Sequence, residues 1–117
     1  MAEAQNIKTV NLKTDRPSVQ EALQRLEREI SIARREKIGL LKLIHGYGST
    51  GAGGDIRIAV QARLREMAEQ GLIGCCIFGE DWSKSNAEAW QLMQAQPDAK
   101  KDSDLGRRNQ GITIIVL

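Results

Sequence analysis

The chain has one histidine, His45, and it stands at the mouth of "LIHGYGSTGAGGDIR", residues 43–57. An imidazole moves protons near neutral pH, so this residue is a candidate general acid or base. The alternative is an imidazole held in place by packing and hydrogen bonds. Five glycines follow within nine residues: Gly46, Gly48, Gly51, Gly53 and Gly54. Links between a strand and a helix typically run about 2–6 residues, so this one is long. Backbone N–H groups with no side chain beside them can approach phosphate oxygens closely. The five glycines are therefore candidate phosphate contacts. Tyr47, within the loop, has the ring to stack on an unpaired base. Arg57, just beyond it, has the reach and charge to meet a phosphate.

Gly46, Gly48 and Gly51 also spell G-x-G-x-x-G. In a dinucleotide site that motif opens the helix itself. Here a helix is predicted to begin only near Asp55, whose charge would oppose a pyrophosphate. No Lys-Ser or Lys-Thr follows the later glycines, so the loop is not of the Walker type. A second cluster, Arg107, Arg108 and Asn109, precedes the last apolar run and suits phosphate contacts; its plain alternative is a solvated turn. Glu80 and Asp81 form a carboxylate pair with no second acidic cluster known to be near. We assign no metal site and no cofactor from the sequence.

These groups need elements to position them. Residues 7–13 alternate, with Val10 and Leu12 on one face, which predicts a first strand. Ser18 and Glu21 have capping-box spacing behind Pro17, and Val19, Ala22, Leu23, Leu26, Ile30 and Ala33 make one helical face. A first helix is expected from about residue 18 to Lys37. Residues 39–45 read as a buried second strand. A second helix follows with Asp55 as its N-cap, Ile56, Ala59, Val60, Leu64 and Met67 as its buried stripe, and Gly71 at its stop. Residues 72–78 predict a third strand and 112–117 a fourth, central one. Between them, Ser85 and Glu88 have capping-box spacing for a short third helix, with Trp82 and Trp90 as its anchors. Pro97 follows that run, and the remainder, residues 98–111, reads as loop. Strands alternating with helices predict an open α/β sandwich. If strands one to three are parallel, Lys13, the loop after His45 and Gly79–Asp81 share one rim, the edge where such folds bind ligands.

Composition sets the class. The chain has 117 residues, 41% of them hydrophobic and 27% charged, with a net charge of +2. That suits one soluble domain over residues 1–117, with residues 1–5 expected to be disordered. The mild positive charge permits a local nucleic-acid patch without requiring one. Arg25, Arg28, Arg34, Arg35, Lys37 and Lys42 outnumber Glu27, Glu29 and Glu36, a pattern expected of a solvated helix face. No apolar run has membrane-spanning length, and the start of the chain lacks the basic-then-apolar pattern of an export signal. Cys75 and Cys76 are neighbours, and neighbours on a strand point to opposite faces. They are expected as small, reduced core residues of a cytoplasmic protein.

The stretch "LIHGYGSTG" resembles the histidine-glycine-x-glycine motif of Smr domains, the small MutS-related family. "GRRNQGITIIVL" is similar to that family's closing loop and last strand, and "TVNLK" with "SVQEAL" occupies the place of its opening motif and first helix. The resemblance spans nearly the whole chain. It implies a two-layer α/β sandwich with a four-stranded mixed sheet, two main helices and a short third one. The last strand would then run antiparallel and bring Arg107, Arg108 and Asn109 to the His45 rim. It implies DNA or RNA binding, and nicking or cleavage in several members. Two positions depart from the pattern: Asn11 stands where the family has an acid, and Lys13 where it usually has histidine. Lys13 can clamp a phosphate or stabilise developing charge. Three functions stay open. One is a nucleic-acid-binding domain with endonuclease activity carried by His45 and Lys13. A second is a non-catalytic adaptor in a repair or ribosome-associated complex. The third is a small nucleotide-binding protein.

Overall fold

The structure is a computed structural model, which describes residues 7–46 and 53–117. Its order is β1 (Ile7–Asn11), α1 (Val19–Arg35), β2 (Leu40–Ile44), α2 (Gly53–Glu69), β3 (Cys75–Phe78), α3 (Ala87–Ala95) and β4 (Ile112–Val116). Short 3-10 turns at Gly79–Asp81 and Pro97–Lys101 flank α3. The strands form one sheet in the order β1-β2-β4-β3. β1 and β2 are parallel, while β4 runs antiparallel to both β2 and β3. The carboxyl ends of β1, β2 and β3 therefore meet the amino end of β4 at one rim, and β4 is an inner strand.

Period-two alternation divides the sheet between two cores. Val10, Leu12, Leu41, Leu43 and Ile115 pack under α1 and α2 with Ala22, Leu26, Ile30, Ile56, Val60 and Leu64. Leu40, Ile77, Ile112 and Ile114 face the other way and pack with Ala89, Leu92, Met93 and Ala99 of α3 and its following turn. The two main helices and the sheet make the sandwich, and the short third helix covers the sheet's second face. Trp82 anchors that cover, fully buried with its Nε1 donating to Asp102 at 3.0 Å. Trp90 does not share the role: it is 44% exposed on α3, with the Lys100 ammonium 5.4 Å from its ring centroid.

The first helix begins as its residues predict. The Ser18 hydroxyl accepts from Glu21 N and the Glu21 carboxylate accepts from Ser18 N, closing the capping box. The other two starts differ. α2 begins at Gly53, so Asp55 lies inside the first turn, where it still faces the positive end of the helix dipole. α3 is capped by Asn86, whose Oδ1 accepts from Ala89 N at 3.0 Å. Ser85 instead shares a hydrogen bond with Ser83. Both cysteines are free and half-buried, and burial raises both thiol pKa values. Among the described residues no helix is long and apolar enough to cross a membrane.

Candidate nucleic-acid interface at the sheet rim

His45 follows directly on β2 at the rim, but its ring turns inward. It is 1% exposed, on the same parity as Leu41 and Leu43 and so on the face covered by α1 and α2. Nδ1 lies 2.6 Å from the Gly46 carbonyl and Nε2 lies 2.9 Å from the Thr113 hydroxyl. A carbonyl can only accept, so Nδ1 carries the proton and Nε2 accepts from Thr113. Burial holds the imidazole below the usual histidine pKa. The Gly46 hydrogen bond pulls the other way, and the nearby Arg57 charge reinforces the burial. At neutral pH His45 is an uncharged residue with both nitrogens engaged, joining the end of β2 to β4.

A testable consequence concerns acid. A group whose folded pKa is depressed binds protons better when unfolded, so its contribution is lost as pH falls. Stability should decline from about pH 6.5, the ordinary histidine value, downward. Chemical denaturation at stepped pH should show that slope in the parent and a flatter one in His45→Gln. An unchanged slope would mean that His45 is not the group responsible.

Gly46 shapes the same corner. It has φ +73°, and a Cβ built on it would lie 2.9 Å from Cδ of Lys13. The Lys13 stem thus lies over Gly46, beside His45. Gly46→Ala should cost about 1–2 kcal/mol from the left-handed backbone alone and shift the Lys13 side chain. A thermal melt coinciding with the parent's would contradict this reading. The backbones of His45 and Gly46 both donate to the Gly111 carbonyl, at 2.9 and 3.0 Å, and so fasten this corner to the start of β4.

Asn109 belongs to that fastening. Its Oδ1 accepts from Gly111 N at 2.8 Å and its Nδ2 donates to Asp104 at 3.0 Å. Its backbone carbonyl sits where a Cβ at Gly79 would have to go. The Asn109 side chain thus holds the turn that carries Arg107 and Arg108. Both arginines are exposed on that turn, and Arg108 has φ +54°. Lys13 is exposed and Arg57 half-buried. None of these four cations has a carboxylate partner among the described residues, and Arg57 Nε is buried without a hydrogen-bond partner. Gly53 and Gly54 open α2 at the same rim. The expectations for Tyr47, Gly48 and Gly51, and for residues 1–5, lie outside the described residues.

Lys42 carries what the sequence did not disclose. It is no part of a helix face: it sits mid-β2, 7% exposed, with its ammonium 2.7 Å from Asp102 and 2.6 Å from Asp104. Burial opposes its charge, yet the two carboxylates outweigh burial and raise its pKa. The Lys42 hydrogen bond, helped by Asn109, lowers the pKa of Asp104. A continuous chain thus runs from Lys42 through Asp104, Asn109 and Gly111 to His45 and Gly46. Arg25 pins the other side of the rim by donating to the Thr14 carbonyl at 2.8 Å. No cluster of three or more histidine, cysteine or acidic side chains suited to a metal occurs among the described residues.

The architecture is an α/β sandwich whose antiparallel inner strand returns to the rim beside a histidine-glycine corner. That class has a solved counterpart. The chain is similar to the crystal structure of the Smr domain of Thermus thermophilus MutS2, at 23% identity, covering 94% of this chain and 96% of that one with a TM-score of 0.57. The two share a fold over nearly their whole lengths. No family model and no curated protein matches the chain.

Proposed function

We propose that this domain binds nucleic acid across the rim, with Lys13, Arg57, Arg107 and Arg108 as phosphate contacts. The observation that carries the proposal is their convergence. Four cations from three separate segments meet at one sheet edge, and none has a carboxylate partner among the described residues. Unpaired cations on a ligand-binding edge are what phosphate recognition needs. The likeness in fold to an Smr domain supports the same reading. His45 serves as the inner brace of the glycine corner. Lys13 acts as a phosphate clamp, since an ammonium is a poor base at neutral pH. The adaptor reading, with a larger complex recruiting the domain, uses this same rim.

The endonuclease reading needs His45 to give up a hydrogen bond and turn outward. A binding and cleavage panel over duplex, branched and single-stranded DNA and RNA separates the two. We expect binding, and cleavage that is weak or absent. His45→Ala should loosen the rim and lower affinity. If instead the parent cleaves, and His45→Ala binds normally but cleaves about 10²- to 10⁴-fold more slowly, His45 is the acid–base catalyst. The nucleotide-binding reading is weakened because α2 opens at Gly53, beyond Gly46-x-Gly48-x-x-Gly51. Titrating mono- and dinucleotides against tryptophan fluorescence should give no saturable change.

A further inference from the structure

We propose that Trp90 is a stacking platform for an unpaired base, on a single strand that leaves the rim past the turn before β4; the proposal rests on the nucleic-acid reading above. Trp90 is 44% exposed, whereas the chain's other tryptophan, Trp82, is 1% exposed and packs in the core on that side of the sheet. An indole this open to water adds little to a core, so the packing of α3 does not account for it. α3 buries Ala89, Leu92 and Met93, and a turn of about 100° per residue sets its two flanks apart. Glu88 lies on the flank beside β3, where its charge reaches Cys75 and Cys76. Trp90 lies on the opposite flank.

That flank joins the rim. The Trp90 backbone N–H donates to the Asn86 carbonyl at 2.8 Å, so one helical turn, about 5.4 Å of rise, separates the two residues. Asn86 lines an open groove together with Gly106 and Arg108, and helix side chains lean toward the amino end, here toward that groove. The charges on this flank suit a polyanion. The Lys100 ammonium lies 5.4 Å from the Trp90 ring centroid. Like Arg107 and Arg108, it has no carboxylate partner among the described residues. The nearby acids are engaged: Asp102 and Asp104 by Lys42, and Asp98 by Lys101. Glu80 and Asp81 line the same groove and repel phosphate. The strand's backbone therefore keeps to the Arg107 and Arg108 side, and the uncharged base crosses to the indole. A base stacks on an aromatic face whatever its identity, and Lys100 takes the phosphate of the stacked nucleotide. One stacked base is too weak to hold a strand alone, so the strand must also engage the rim. The substrate class that fits is a junction of duplex and single strand.

The test titrates the whole chain with a blunt DNA duplex and with single-stranded oligothymidine about 12 nucleotides long, followed by anisotropy and by tryptophan emission. Trp82 is buried, so quenching by the single strand reads Trp90. The parent should show saturable quenching. Trp90→Phe keeps an aromatic face and should bind the single strand within about fivefold of the parent. Trp90→Leu keeps apolar bulk but cannot stack, and should bind it roughly 5- to 150-fold more weakly, the worth of one stacked base. The same variant should bind blunt duplex within about twofold of the parent, because duplex bases already stack on one another. Lys100→Ala should flatten the single-strand salt slope by about 0.7, one phosphate contact. Unchanged single-strand affinity in Trp90→Leu, beside duplex binding by the parent, would overturn the platform and leave the rim reading standing. Equal losses on duplex and single strand would also overturn it, since Trp90 would then act through the fold. A parent that binds neither would overturn the rim reading and the platform with it.

Discussion

Lys42→Ala is expected to destabilise the domain by about 3–5 kcal/mol, the usual cost of removing one partner from a buried ion pair. The ammonium holds Asp102 and Asp104 at 2.7 and 2.6 Å. Without it two nearby carboxylates face each other on a covered sheet face. Some of that cost is relieved by water, because their side chains are 17% and 22% exposed, so the lower end of the range is the better figure. About 3 kcal/mol in a domain of this size should lower Tm by roughly 10–20 °C. Neutralising the whole set, as Lys42→Met with Asp102→Asn and Asp104→Asn, should recover most of the loss, since no unpaired charge remains. The pH dependence has a definite sign. Lys42 lowers the Asp104 pKa, so its contribution is present above the unfolded carboxyl value, about 3.9, and is lost as pH falls through the folded one. The gap between parent and Lys42→Ala should narrow in that window. Guanidinium melts at pH 7 and pH 3.5 measure it. A variant as stable as the parent at pH 7 would show that the network does not hold the rim turn.

Replacing Arg107 and Arg108 together with alanine is expected to weaken duplex DNA binding by roughly 10- to 100-fold near 0.1 M salt. Each lost phosphate contact removes about 0.9 counterion from the release equilibrium, so the salt slope should flatten by about two. The two residues differ in what they cost the fold. Arg108 holds φ +54°, a conformation that is strained for any residue with a Cβ. Arg108→Gly should therefore leave stability unchanged or raise it by about 1 kcal/mol while affinity falls. Binding and stability moving in opposite directions would mark a residue kept for its ligand. If Arg108→Gly bound as the parent does, Arg108 would be no part of the interface.

Much of this site can be read from residue order, and the failures have physical causes. The Ser18–Glu21 capping box was legible because both halves of the interaction lie three residues apart. α3 was legible as a helix, yet its cap moved one residue, from Ser85 to Asn86, because adjacent polar residues compete for the same N–H groups. The start of α2 was obscured by glycines, which signal backbone freedom but not where it ends. His45 reached the predicted rim, and its inward ring had a signal: positions 41, 43 and 45 share one face of β2, and that face is covered. Lys42 lies inside the apolar run LLKLI, where a lysine implies a buried partner. The partners lie 60 and 62 residues away, at a distance that only the fold closes. The Asn109 amide is legible as a polar group before β4, but its partners Asp104 and Gly111 are fixed by the turn's geometry.

The central claim is that the rim cations, which have no carboxylate partner among the described residues, bind nucleic acid phosphates. It is tested most directly by the affinity of the parent protein for a short DNA duplex, measured by anisotropy between 50 and 300 mM salt. With about three to five phosphate contacts, log affinity should fall against log salt with a slope of roughly −3 to −5. No detectable binding at the lowest salt, or an affinity that does not change with salt, would contradict the account.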